Sequence, residues 1–133
     1  MTKHQILKTY FGHDSFRPGQ ESVIDALLSG QDVMAVMPTG AGKSACYQIP
    51  ALMLDGVTLV ISPLISLMKD QVNGLTQSGV PAAYINSSLT PSQYDRVCYN
   101  MANGAYKLVY VAPERLDVPS FLELCQNLTI PLI

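Results

Sequence analysis

Met37-Pro38-Thr39-Gly40-Ala41-Gly42-Lys43-Ser44 places small residues directly before a cation and a hydroxyl. That order suits a polyanion. Phosphate oxygens bound by protein must meet several backbone N–H groups at once, which requires a tight turn carrying little side-chain bulk. Gly40, Ala41 and Gly42 supply such a turn, with Thr39 at its entry. Lys43 can then reach the outer phosphates of a nucleoside triphosphate as a point charge, and the Ser44 hydroxyl can join a magnesium shell. Met37 stands where the strict G-x-x-x-x-G-K-[ST] pattern has its first glycine.

Few other side chains are arranged for chemistry. Cys46, Cys98 and Cys125 are far apart, odd in number and without metal-ligand spacing, so they are expected to be buried free thiols in a reducing compartment. The two histidines, His4 and His13, lie near the start, and no triad or zinc cluster can be assembled from them. Net charge is −2, so any affinity for nucleic acid must come from placed hydroxyls, amides and a few cations, not from bulk charge. Hydrophobic residues make up 48% and mean hydropathy is +0.21. Every apolar run is nevertheless broken well short of the ~18–20 residues that cross a bilayer. Met1-Thr2-Lys3-His4-Gln5 resembles neither a signal core nor a transit pattern, so a cytoplasmic, non-secreted, non-membrane protein is expected.

The elements that must hold the loop follow from periodicity. Val33-Met34-Ala35-Val36-Met37 reads as a first strand, and a helix should run from Lys43 until Pro50 ends or kinks it. Residues 57–61 form a second strand. A helix over 64–75 follows, with Leu64, Leu67, Met68, Val72 and Leu75 on its apolar side and Ser78-Gly79 at its close. Residues 82–85 make a weaker third strand. Thr90-Pro91-Ser92-Gln93 is a helix start with a capping box, and Asn103-Gly104 is its stop. Residues 107–111 form a fourth strand, a short helix lies near 120–126, and residues 128–133 read as a fifth strand. Strands alternating with helices predict one α/β domain over 1–133 with a parallel, doubly wound sheet, whose ligand sites lie beyond the carboxyl ends of the strands.

Other residues at that edge admit ordinary structural roles. Ser62-Pro63 can cap the next helix, Asn86 can be a turn residue, Glu114 and Arg115 can pair locally, and Lys69-Asp70 can be a solvated helix face.

The order of motifs resembles the RecQ-type DNA helicases of superfamily 2. Phe11-Gly12-His13-Asp14-Ser15-Phe16-Arg17-Pro18-Gly19-Gln20 is similar to their adenine-recognition segment, taken here as residues 7–20. The phosphate loop, residues 37–44, is similar to their variant without the first glycine. Further matches follow in order: Cys46-Tyr47-Gln48-Ile49-Pro50-Ala51, Ser62-Pro63-Leu64-Ile65-Ser66-Leu67-Met68-Lys69-Asp70-Gln71, Asn86-Ser87 and Ala112-Pro113-Glu114-Arg115-Leu116. The resemblance implies the front part of a RecA-like ATPase domain using ATP and Mg2+. It also implies 3′-to-5′ unwinding of duplex DNA, and single-stranded and duplex DNA with a second RecA-like motor domain as partners. Gln20 would read the adenine edge, Arg17 would pack beside the base, and His13 would stack where the family often has an aromatic ring. Lys43 would be catalytic and Ser44 the magnesium ligand. Ser62, Pro63, Lys69, Asn86, Ser87 and Arg115 would meet the DNA backbone, which positions a strand without reading it.

Two departures stand out. Ala41 occupies a position where the family commonly has a third glycine. The D-E-x-H segment that follows the fifth strand in such helicases has no counterpart before Ile133, so the domain reads as truncated and the 133 residues alone are expected to hydrolyse ATP negligibly. Two other readings remain: a P-loop kinase of a small molecule, which usually keeps the first glycine, and a nucleotide-binding module without catalysis.

Overall fold

The structure is a computed structural model that describes residues 1–38 and 42–133. It divides into two compact units, Met1–Leu54 and Asp55–Ile133.

The first unit is helical. Thr2 caps helix α1 (Lys3–Phe11): its hydroxyl accepts from the Gln5 N–H at 3.2 Å while the Gln5 side chain accepts from the Thr2 N–H at 2.8 Å. Gly12 ends the helix at φ 74°, a conformation that costs a glycine little. Helix α2 (Gln20–Leu28) and helix α3 (Lys43–Met53) follow. Ile6, Leu7, Ile24 and Ile49 form the buried core of this unit, with Phe11 and Phe16 packed on it.

One expectation fails in this unit and another is narrowed. Residues 33–37 form no strand, and Met34 and Val36 are 93% and 92% exposed. A β-branched run becomes a strand only when a neighbouring backbone completes its ladder, and none pairs with it among the described residues. Of the two outcomes expected at Pro50, an end or a kink, the end is the one that does not occur. α3 continues to Met53, and the Pro50 carbonyl still accepts from the Leu54 N–H at 2.9 Å. So close to the C-terminus the ring removes only one donor, and burial of Ile49, Pro50 and Ala51 holds the last turn.

The second unit alternates strand and helix: β1 (Thr58–Ile61), α4 (Ile65–Gln77), β2 (Ala82–Ile85), α5 (Pro91–Ala102), β3 (Leu108–Val111), a 3-10 turn (Pro113–Asp117) and α6 (Pro119–Gln126). The sheet order is β1-β3-β2 and both pairings are parallel. Leu59, Ile85, Val109 and Val111 share one face with Met101 of α5 and Phe121 of α6. Asn86, one residue beyond Ile85 and so turned to the opposite face, meets Met68 of α4. Helices therefore cover both faces, as a doubly wound sheet requires. The α5 start is the expected one, with Thr90 and Gln93 bonding reciprocally and Pro91 at the first helical position.

Two details of this unit differ from the expected pattern. Met68, Val72 and Leu75 of α4 are buried, but Leu64 and Leu67 are 55% and 48% exposed. The stretch 128–133 is not a full strand: it touches β1 through one parallel bridge, Thr58 to Leu132. The Thr129 and Leu132 carbonyls accept from Val57 and Leu59 N–H at 3.0 and 3.1 Å. Pro131, which has no N–H to donate, interrupts the ladder.

Candidate nucleotide and nucleic-acid site

In the first unit the site forms where the segment before α2 meets the start of α3. Gly42 caps α3 at φ 76°, which exposes the helix's first N–H groups beside Lys43 and Ser44. Lys43 is exposed and makes no ion pair among the described residues, and Ser44 is half-buried in the same turn. Thr39, Gly40 and Ala41 lie outside the described residues. Beneath the turn, the Cys46 thiol sits 3.9 Å from Met37 Sδ and 4.0 Å from the Gly42 carbonyl. Burial pushes that thiol's pKa up, so it is a neutral packing group and not a nucleophile.

Gln20 connects the two parts of this site. Its side chain is 5% exposed; Oε1 accepts from the Arg17 N–H at 2.8 Å, and Nε2 donates to the Gly42 carbonyl at 2.9 Å. A primary amide has two donor hydrogens and two acceptor lone pairs, so one of each remains among the described residues. A side chain on Gly42 would collide with Gln20 Nε2. The chain therefore keeps a tight cradle at the head of α3 with an amide edge against it, which fits a nucleotide's phosphates. Ser44 carries a hydroxyl in the first turn of α3, and no cluster of three acidic, His or Cys side chains stands ready for a metal among the described residues.

Ion pairs and a ring contact tie α1 to the segment that follows it and to α2. Lys8 Nζ lies 2.8 Å from Asp14, and Lys3 Nζ lies 2.8 Å from Glu21 and 2.5 Å from Asp25. His4 meets the Phe16 ring edge-on at 5.0 Å. His13 and Arg17 are exposed. The α1 contribution was missed from sequence, although Thr2 with Gln5 three residues on is a readable capping box.

In the second unit, register aligns Ile61, Val111 and Ile85 at the carboxyl edge. Ser62, Ala112 and Asn86 therefore follow side by side, and the outer two are about 10 Å apart across two strand spacings. Backbone bonds tie these loops together: Ser62 N–H to the Val111 carbonyl at 3.1 Å and Ala112 N–H to the Ile85 carbonyl at 3.0 Å. Ser62 Oγ accepts from the Leu64 N–H at 3.2 Å, a turn-stabilising bond that leaves its own proton to donate. Pro63 and Lys69 are exposed.

Asn86 is 1% exposed, its Oδ1 accepting from Ser88 N–H at 2.8 Å and its Nδ2 directed to Met68 Sδ at 3.6 Å. That Asx turn presents Ser87 and Ser88 to solvent. Ser88 was passed over from sequence, although Asn-Ser-Ser after a strand signals the turn. Arg115 forms no pair with Glu114. Its guanidinium carbon lies 4.7 Å from the centre of the Tyr94 ring, and a guanidinium nitrogen donates to the Asn86 carbonyl at 3.4 Å. Cys98 and Cys125 are only half-buried, short of the burial expected, yet desolvation raises both pKa values. No helix among the described residues is long and apolar enough to cross a membrane.

A parallel sheet with helices on both faces, joined in sequence to a Gly-Lys-Ser helix start, defines an α/β nucleotide-binding domain of the RecA-like type. The chain belongs to the DEAD/DEAH box helicase family, whose model matches residues 17–130. It is 55% identical over 123 residues to the ATP-dependent DNA helicase RecQ of Haemophilus influenzae, covering 92% of this chain and 20% of that protein. It is 49% identical over 132 residues to the RecQ of Pasteurella multocida, covering 99% and 21%. The RecQ of Bacillus subtilis is 48% identical over 129 residues, covering 96% and 22%. The chain thus spans about a fifth of the length of these relatives. Its fold is similar to that of a protein described as a hypothetical ATP-dependent RNA helicase from Sulfolobus tokodaii, with a TM-score of 0.65 and 23% identity, covering 92% of this chain and 37% of that one.

Proposed function

We propose that this chain is the ATP-binding front portion of a RecQ-like motor that couples ATP hydrolysis to 3′-to-5′ unwinding of duplex DNA. The observation that carries the reading is the Gln20 amide, buried against the helix start that bears Lys43 and Ser44. A bare phosphate site needs no such amide. A site for an adenine nucleotide does, because one free donor and one free acceptor match the base's edge. His13 and Arg17 flank the base, Thr39 to Gly42 wrap the phosphates, Lys43 neutralises the outer ones and Ser44 holds magnesium. Bound magnesium would offset charge developing on the transferred phosphoryl group.

Ser62, Pro63, Lys69, Asn86, Ser87 and Arg115 form the edge along which a single strand lies. DNA and a second RecA-like domain are the partners, and the cytoplasm is the place of action, at the nucleoid if the cell is bacterial. The 133 residues alone bind ATP weakly and hydrolyse it negligibly, because Ser44 is a single magnesium ligand without a partner carboxylate.

The test is DNA-stimulated ATP turnover by the longer motor protein of which this chain is proposed to be the front portion. Lys43→Ala should lower it by at least about 100-fold, as expected for a group that stabilises charge at transferring phosphate. Turnover equal to that of the unsubstituted protein would remove the phosphate-loop assignment. Unwinding of 5′-tailed but not 3′-tailed duplexes would reverse the polarity.

A further inference from the structure

We propose that Tyr94 and Arg115 form a clasp that shapes the strand-binding edge, so that Arg115 acts by holding the Asn86 turn and not by neutralising a phosphate. This rests on the reading that single-stranded DNA lies along the carboxyl edge of the sheet.

Three segments that lead away from the sheet meet at one side chain. Arg115 belongs to the 3-10 turn after β3, Tyr94 to the first turn of α5, and Asn86 to the turn after β2. The guanidinium covers the Tyr94 ring at 4.7 Å, and one nitrogen donates to the Asn86 carbonyl at 3.4 Å. Its planar face and one donor edge are therefore occupied, and the side chain is half-buried. A phosphate could be met only by the N–H donors that this arrangement leaves over, which makes the salt slope the deciding readout.

The ring is held in turn. Tyr94 packs against the core that contains Ile85, Met101 and Phe121. The ring is thus a fixed platform, which is what a cation–π contact needs in order to orient a flexible arginine. The Asn86 carbonyl that Arg115 grips belongs to the residue whose side chain shapes the exposed Ser87-Ser88 turn. Strain or release at Tyr94 would therefore be felt where the strand is held.

The test is titration of a fluorescent oligothymidylate with the full chain at several salt concentrations. A positioning role and a phosphate contact differ in salt dependence: each phosphate neutralised on a single strand contributes about 0.7 to the slope of log affinity against log salt. Arg115→Gln should weaken binding while leaving that slope unchanged. Tyr94→Leu should weaken it by about three- to tenfold, the range of a cation–π contact, again with an unchanged slope. Tyr94→Phe, which keeps the ring, should restore binding.

A slope flattened by about 0.7 in Arg115→Gln overturns the clasp and makes Arg115 a phosphate ligand. Unchanged affinity in Tyr94→Leu overturns it as well. If Tyr94→Leu does not fold, the Arg115→Gln slope decides alone. Failure of the unsubstituted chain to bind the oligonucleotide removes the DNA reading, and the clasp with it.

Discussion

At the head of α3, Lys43 is exposed with no counter-charge among the described residues, and the Gln20 amide keeps one donor and one acceptor free. At the carboxyl edge of the sheet the cation is instead engaged within the protein: Arg115 lies over the Tyr94 ring and donates to the Asn86 carbonyl. One region leaves its cation open to a ligand, and the other uses its cation to fix the shape of a surface. The difference suits the tasks proposed for them. A nucleotide must be gripped and released in each cycle, so its binding energy should come from groups that the ligand completes. A nonspecific strand track needs constant geometry, with few side chains to reorder.

The largest effect that sharpens this contrast is expected at Gly42. Alanine there would take a left-handed backbone conformation and place its Cβ against Gln20 Nε2. Strain of this kind costs about 1–3 kcal/mol, so Gly42→Ala should weaken ATP binding by at least about tenfold, measured with a fluorescent ATP analogue. Binding as tight as in the unsubstituted chain would show that the amide–glycine contact does not shape the cradle.

Asn86 and Ser87 separate shape from contact in adjacent residues. Asn86→Ala removes the acceptor of the Ser88 N–H and opens space beside Met68, so stability should fall by about 1–3 kcal/mol. Ser87 is exposed and outside the turn's hydrogen bonds, so Ser87→Ala should stay within about 0.5 kcal/mol while DNA affinity drops. Urea midpoints and oligonucleotide titration of both variants give the two readouts. An Asn86→Ala chain of full stability with impaired DNA binding would break the comparison, because Asn86 would then be a ligand and not a scaffold.

What was legible in the sequence follows from how local each signal is. The Gly-Lys-Ser helix start, the Thr90 capping box and the alternation behind β1, β2 and β3 depend on neighbours a few residues away, and all were readable. Val33 to Met37 misled because strand propensity describes a side-chain pattern, whereas a strand exists only when another backbone pairs with it. Leu64 and Leu67 misled because helical periodicity assigns a face without saying which of its turns will be covered. The engagement of Asn86 and Arg115 was not readable. Their partners, Met68 and Tyr94, are brought close by the β1-β3-β2 strand order, and no periodicity encodes that order.

The smallest expected effect concerns how firmly the adenine segment is held before any ligand arrives. A hydrogen bond from Lys8, and then its charge, keeps the Asp14 carboxyl below its usual pKa. A depressed carboxylate pKa adds stability that is present above the unfolded value of about 3.9 and is lost as pH falls through the folded value. Asp14→Asn should therefore lower the urea midpoint slightly at neutral pH. The two chains should converge only as pH falls through the depressed folded value, where the carboxylate in the unsubstituted chain becomes protonated. Because the pair is fully exposed, added salt should shrink the neutral-pH difference as well. A difference that survives both acid and salt would mean that Asp14 holds the segment through packing or backbone bonds. The nucleotide end would then be as firmly preorganised as the sheet edge, and the contrast between the two regions would narrow to Lys43 alone.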